Sequence, residues 1–487
     1  MASFSNPTNV SASQGSGSGK SYIGPLINLT VLFFMWGFIT CMNDILIPYL
    51  KKLFTLNYTE SMLVQFCFFG AYFIGSLIYF LISASKGDPI NKVGYKKGII
   101  FGILLSAFGC VLFYPASAAG SYALFLIALF VLGLGFTVLQ ITANAYVTLL
   151  GTPDTASSRL NMTQAFNSLG TTLAPMIGGY LVFSLFKSAD GSISTEATKI
   201  PYIIFAVILV LIAIITSKVK LPEFNLATSD EDAKSTEGFG AFKFMNLKLG
   251  VLGIFFYVGA EVAIGSLMIS YIEHALHLDE SHAKAYLALY WGGAMAGRFM
   301  ASFAFSKTMH ATKKITYMIL ICIGVLGLLF LSAKTMSVID PENNLPLTYE
   351  QISFFAIMMV VNIIGFLLGK NSTSLSLSIF AIINVILIII GLLSSDAISV
   401  NMLLGIGLFN SIMFSNIYTL GIAGLGKYTS QGSSLLVMGI VGGALLPLIQ
   451  GLIADNVDLK ISYIVPVLCY AYIAFYGFWC KKKNIAD

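Results

Sequence analysis

The chain has 487 residues, of which 57% are hydrophobic and 10% charged, with a net charge of +5. Soluble proteins carry roughly 25% charged residues, and a mean hydropathy of +0.86 along the whole chain exceeds what a single soluble core could bury. A soluble fold is thereby excluded, and the lack of period-two alternation excludes a transmembrane β-barrel.

Residues 1–25 are polar at their start, with 14–20 reading QGSGSGK, and predict a flexible cytoplasmic tail with no cleavable signal peptide. Apolar runs of about 20 residues, enough to cross roughly 30 Å of hydrocarbon as a helix, follow near 26–50, 61–85, 98–117, 121–150, 160–186 and 200–217. These six make an N-terminal bundle over 26–217. The stretch 218–246, holding Asp230, Glu231, Asp232 and Lys234, reads as a cytoplasmic linker. Eight further runs lie near 247–275, 284–306, 315–333, 351–369, 374–394, 400–424, 432–454 and 461–480, before a short cytoplasmic tail at 481–487. The expected fold class is an all-α polytopic membrane protein of about 14 helices. The six cysteines fall in the apolar spans or at their ends and read as packing residues, not disulfides or metal ligands.

Charge placement orients these spans. With the N-terminus inside, one face receives Lys86, Lys92, Lys96, Lys97, Arg159, the linker lysines and the closing run Lys481–Lys483, among others. The other face receives Lys51, Lys52, Lys187, Lys199, Lys284, Lys334 and Lys460. The division is about three to one in the sense of the positive-inside rule, so both termini are expected in the cytoplasm.

An internal repeat is also visible. Phe33, Phe34, Gly37 and Tyr49 recur as Phe255, Phe256, Gly259 and Tyr271, and Tyr72 and Gly75 as Tyr290 and Gly293. Further on, Gly133, Gly135, Asn144 and Tyr146 recur as Gly405, Gly407, Asn416 and Tyr418, and Gly170, Pro175 and Gly179 as Gly442, Pro447 and Gly451. The offset is near 220 through Lys314 and 272 from Gly405 onward. A duplicated six-helix unit, with a helical hairpin of about 50 residues inserted near 315–370 of the second copy, accounts for both values.

The two-halved plan resembles the major facilitator superfamily, and GDPINKVGYKK (87–97) resembles its motif between helices 2 and 3, with Asn91 where an aspartate is usual. The strings MWGFITCMNDILIP (35–48), LQITANAYVTLLG (139–151), RLNMTQAFNSLGTT (159–172), FFYVGAEVAIGS (255–266) and FNSIMFSNIYTL (409–420) resemble the fucose–galactose–glucose–proton symporter family. That resemblance implies a two-bundle fold of six and six helices, here with the added hairpin. Fucose transporters of the family place a carboxylate where this chain has Gln140 and a Gln near the position of Glu261; the glucose/galactose branch is similar to this sequence at both places.

Few acids interrupt the spans. Asp44 and Glu261 do, and a charge at mid-bilayer costs on the order of 2.5–3.5 kcal/mol, so such residues usually face a water-filled cavity and work there. A carboxyl in a partly dry cavity holds a proton more readily than one in water, and a carboxylate can instead coordinate sodium. Both acids are therefore cation-coupling candidates, against the competing reading of structural ion pairs. Sugars are held by amides and by an aromatic face. The substrate-binding candidates are Asn43, Gln65, Gln140, Asn144, Gln164, Asn167, Asn410 and Asn416, with Trp36 and Trp291 as stacking platforms. Hydrogen bonding between helices is the alternative for each amide. Of 27 basic residues only Arg159 and Arg298 are arginine, which suggests a planar fork at a gating ion pair or helix cap near the cytoplasmic end of a span, with snorkelling as the alternative. Glu273, His274, His277, Asp279, Glu280 and His282 imitate metal ligands but read as a solvated loop, and no metal site is expected.

The expected function is secondary active import of a hexose, glucose or galactose, driven by a proton or sodium gradient through alternating access. Uptake of fucose or N-acetylhexosamine, facilitated diffusion and sugar sensing without transport are the alternatives. No enzymatic motif such as HExxH, GxSxG or a P-loop is present, and the protein is not expected to be an enzyme. It is expected as a monomer in a bacterial inner membrane, with the sugar and the lipid bilayer as partners, no nucleic acid, and no cofactor beyond the co-transported cation.

Overall fold

The computed structural model describes residues 23–56, 58–152, 155–180, 196–223, 238–277, 280–306, 309–339 and 349–485. The first half holds α1 (Ile23–Leu53), α2 (Tyr58–Lys86), α3 (Pro89–Val93), α4 (Tyr95–Val111), α5 (Phe113–Ala119), α6 (Tyr122–Leu149), α7 (Ala156–Tyr180) and α8 (Glu196–Lys218). A 3-10 turn, Gly240–Lys243, leads into the second half. There α9 (Met245–Leu276), α10 (Glu280–Ala304), α11 (Ala311–Ile339), α12 (Tyr349–Leu368) and α13 (Thr373–Leu393) precede α14 (Asp396–Asn410), α15 (Met413–Ile422), α16 (Thr429–Met438), α17 (Gly442–Asn456) and α18 (Ile464–Lys482).

By length and composition, 11 of the described helical stretches can cross a membrane. Two further helices, α7 and α10, lie alongside them but carry more polar residues, and the apolar part of α12, Ser353–Leu368, is shorter. Apolar side chains such as Ile78, Phe101, Ile215, Ile323 and Val360 stay exposed on the outer surface. Every backbone group inside a helix is already paired, so such a surface suits hydrocarbon as its solvent.

Several runs that look continuous in sequence are broken. The run 400–424 divides into α14 and α15 at Ser411–Ile412, and the run 432–454 divides at the 3-10 turn Gly439–Val441. Between α2 and α4, Asp88 caps α3 by accepting from Ile90 N, Pro89 follows it, and Gly94 turns the chain at a φ of 89°. Burial pushes the Asp88 carboxyl up to about 6, against the pull of the Tyr79 hydroxyl and the Ile90 amide.

In the first half α1 packs on α7, α6 lies against α2 and α4, and α4 carries α8. In the second half α9 packs on α17, α14 lies against α10 and α13, and α13 carries α18. The repeat extends to atomic detail. A Cβ on Gly170 would overlap the Phe34 carbonyl of α1, and one on Gly442 would overlap the Phe255 carbonyl of α9. By this packing α13, and not α11, takes the place that α4 has in the first half. Helices α11 and α12 sit outside, against α10 and α14. Lys314 closes their base, its Nζ donating to Ala304 O (3.1 Å) and Asn371 Oδ1 (2.7 Å).

The halves meet where α7 packs on α10, and where α2 and α6 pack on α16. Tyr95, Asn91 and Ser83 reach Ser430, Lys427 and Gln431 at the end carrying the loop 87–97. That end is the linker face.

Candidate functional site

Two buried polar chains flank the boundary between the bundles. In the first half Trp36 Nε1 (α1) donates to Tyr72 Oη (α2) at 3.3 Å, and Tyr72 also pairs with the Gln140 side chain of α6. Asn144 Nδ2, one turn along α6, donates to Gln140 Oε1, and Gln164 Nε2 (α7) donates to Asn144 Oδ1 at 3.2 Å. Four helices thus pool their polar groups. Trp36, Tyr72, Asn144 and Gln164 are buried, and Gln140 is the member left half-buried. The sequence candidates Trp36, Gln140, Asn144 and Gln164 are therefore brought together.

In the second half Glu261 (α9) is the hub. Its Oε1 accepts from Tyr257 Oη at 2.6 Å and lies 3.4 Å from Arg298 Nη2 (α10). Arg298 also donates to the Tyr257 hydroxyl at 3.3 Å and, through Nε, to Ser411 O at 3.1 Å. That carbonyl lies at the break between α14 and α15. The other arm of the fork, Nη1, crosses the boundary to Ser168 Oγ of α7. The pair is mostly buried, at 11% exposure for Arg298 and 13% for Glu261. Behind it, Tyr290 Oη donates to Glu261 O and accepts from Asn410 Nδ2 at 2.8 Å, while Asn410 Oδ1 accepts from Tyr470 Oη (2.6 Å) and Asn384 Nδ2 (2.9 Å). Asn410 is fully buried and supports the hub from behind. Trp291 is half-buried, its ring edge-on to Tyr290 at 5.1 Å and beside Gly265.

The remaining candidates lie elsewhere. Asn416 is an interbundle tie, its Oδ1 accepting from Ser157 Oγ (2.8 Å) and Asn161 Nδ2 (3.3 Å) and its Nδ2 donating to Thr373 O (3.2 Å). Asn167 Nδ2 donates to Phe33 O at 2.9 Å and joins α7 to α1. Gln65 is half-buried in α2. Asn43 and Asp44 lie in α1, but their side chains fall outside the described residues.

The arginines differ in role. Arg159 caps the end of α6, donating to Val147 O (3.1 Å), Thr148 O (2.7 Å) and Thr152 O (3.1 Å). Arg298 lies six residues before the end of α10, where that helix meets Glu261, and it reaches the other bundle. Of the metal-like cluster, the side chains of Glu273, His274 and His277 are described; Glu280 and His282 lie in α10 with side chains outside the described residues, and Asp279 lies outside them altogether. No group of three or more His, Cys, Asp or Glu among the described residues could hold a metal ion. All six cysteines are free.

Sequence reasoning did not select Tyr257, Tyr72, Ser168, Asn161 or Ser157. Tyr257 had a signal, since it stands four residues before Glu261 on one helix face. Tyr72 and Tyr290 had another, as repeat counterparts that both hold polar partners at the boundary. Ser168 had none, because its contact depends on how the bundles dock.

The model of the Major Facilitator Superfamily matches residues 28–341. The glucose/galactose transporter of Brucella abortus (strain 9-941) is 42% identical over 480 residues, covering 98% of this chain and 99% of that protein. The L-fucose-proton symporter of Escherichia coli (strain K12) is 28% identical, covering 95% of this chain and 94% of that protein. The crystal structure of the transporter FucP in the outward conformation superposes with a TM-score of 0.72 at 26% identity, covering 94% of this chain and 99% of that one. Family model, whole-length identity and fold agree, and the chain belongs to the major facilitator superfamily, within the family that these sugar transporters share.

Proposed function

We propose that this sugar transporter imports a hexose, glucose or galactose, by alternating access and draws on a proton or sodium gradient. The observation that carries the reading is the Glu261–Arg298 pair, buried at the bundle boundary and tied through Arg298 to Ser168 of the opposite bundle. A cation that neutralises Glu261 changes the charge balance at a contact that must break when the bundles rock. Coupling needs such a link between charge and conformation. Asp44 on α1 would share this task from the first half.

On the sugar side, the half-buried Gln140 side chain is an amide of the kind that pairs with ring hydroxyls, with Asn144 and Tyr72 bonded to it and Gln164 and Trp36 bonded to those in turn. The 42% identity to a protein named a glucose/galactose transporter, with an amide and not a carboxylate at Gln140, favours those hexoses over fucose. Counting α7, α10 and α12 as spans gives fourteen, with α11 and α12 as the added hairpin and both termini on the linker face in the cytoplasm.

Uptake of labelled sugars into proteoliposomes, with proton and sodium gradients imposed separately, tests the reading. Accumulation of glucose or galactose under one gradient supports it, and the effective gradient names the cation. Binding without accumulation under either gradient would leave a sensor. Accumulation of fucose alone would overturn the substrate assignment.

A further inference from the structure

The chain between the bundles returns to the described structure at Gly238, and it does so wedged between both halves. Gly238 N donates to Ala84 O of α2 at 2.6 Å, and Phe239 and Phe242 pack on Phe80 of the same helix with ring centroids at 5.9 and 5.5 Å. On the other side lies Gln431 of α16, fully buried. Its Oε1 accepts from Ala241 N at 3.0 Å, and its Nε2 donates to Gly238 O at 3.1 Å and to Ser83 Oγ of α2 at 3.4 Å. The backbone of Gly240 lies against the Tyr428 ring so closely that a Cβ there would overlap it. One buried amide therefore joins three bodies: the first bundle, the second bundle and the linker.

Opening the linker face requires α2 and α16 to part. Gln431 must then give up Ser83, and the turn must leave either Gln431 and Tyr428 or Ala84 and Phe80. An unpaired buried amide is costly, so the joint favours the closed face. It is also built to let go. Phe239 and Phe242 remain 64% and 41% exposed, so the turn is only lightly anchored by apolar burial.

We propose that the segment Gly238–Lys243 is a strap that clips the two bundles together at the linker face and has to undock for that face to open. The strap acts on the conformational balance, whichever sugar or cation is carried.

Hydrogen exchange of the full-length protein in lipid nanodiscs tests this, comparing wild type with Gly240→Leu and Gln431→Leu. The informative segments are 155–161 and 413–419, which meet across the bundles through Ser157, Asn161 and Asn416 but do not touch the strap. Exchange there should rise about fivefold, the change expected when one net hydrogen bond of the closed state is removed. Faster exchange confined to 238–244 and its immediate neighbours, with 155–161 and 413–419 unchanged, would overturn the proposal. If either variant loses protection throughout its helices, the exposed-site variant Phe242→Ala supplies the answer. A smaller rise in the same two segments supports the strap, and no rise refutes it.

Discussion

Taking a carboxylate and a guanidinium out of water costs several kcal/mol per ion even after relaxation, and only good geometry with further hydrogen bonds offsets it. Glu261 and Arg298 meet that condition through Tyr257, Ser411 O and Ser168. Leaving one partner uncompensated typically costs about 3–5 kcal/mol. Arg298→Gln should therefore lower stability by about 3 kcal/mol, and adding Glu261→Gln should restore part of the loss. Thermal unfolding in detergent reads both; a double variant no more stable than Arg298→Gln alone would show that the two charges do not compensate each other. Arg298→Gln and Glu261→Gln, each alone, should also lose gradient-driven accumulation. Arg159 belongs to a different class. Arg159→Ala removes donors from two helix-end carbonyls and one loop carbonyl and should cost about 1–2 kcal/mol while sugar affinity stays unchanged. Arg159→Lys should recover little, because a compact ammonium does not present the fork. Unchanged stability in the alanine variant would reduce the cap to a surface contact. The acid at Glu261 and the arginine at Arg298 were each legible in sequence, because a charge in an apolar run and a rare planar fork stand out. Their pairing was not, since Arg298 lies 37 residues away and the contact is set by how α10 packs on α9.

Helix-level order was read from periodic glycines and a shifting offset, and the reason is steric. Close approach of two helix backbones requires a position without a Cβ, so Gly170 and Gly442 mark the same crossing in both copies. Either one changed to alanine should force α7 from α1, or α17 from α9, and lower the yield of folded protein well below that of an exposed control such as Gly324→Ala, which meets nothing within 4 Å. Equal yields would mean that the crossings relax freely. The breaks at Ser411–Ile412 and Gly439–Val441 were not legible, because both stretches keep an apolar helical pattern; at the first, the Ser411 carbonyl gains a tertiary partner in Arg298. For the hairpin, the single Lys314 ammonium bonds both Ala304 at its entry and Asn371 at its exit. Entry and exit are thus neighbours, as they would be if two added spans returned the chain to the face it left. Replacing residues 309–369 with a short Gly-Ser loop should keep sugar uptake, as measured in proteoliposomes, at a cost in stability from the uncovered sides of α10 and α14. Complete loss of uptake by a folded variant would give the hairpin a part in transport.

At the scale of the whole molecule, two bundles share one interface, and the proposed alternating access would exchange contacts at its ends. Composition and the offset disclosed the two halves; which end is closed depends on side-chain contacts between them, which leave no periodic signal. Asn91, Tyr95, Ser83 and the Asp88 cap sit together at the linker face, so this end is held by polar contacts as well as packing. Asp88 makes a pH signature there. Burial raises its carboxyl from 3.8 to about 6, so the packed state prefers the neutral acid. The stabilisation is fully present below about pH 4 and is lost as pH rises through about 6. Asp88→Asn keeps an oxygen for Tyr79 and the Ile90 amide, and asparagine caps helices as well as aspartate does. It should leave stability nearly unchanged near pH 4 and raise it by about 2–3 kcal/mol at pH 7, where the native carboxyl is forced to ionise. The measurement is the difference in unfolding midpoint between wild type and Asp88→Asn across pH 4.5 to 7.5, which cancels the other titrating groups. A difference that stays flat across that range would mean that water reaches the carboxyl and that the linker face is looser than its contacts imply.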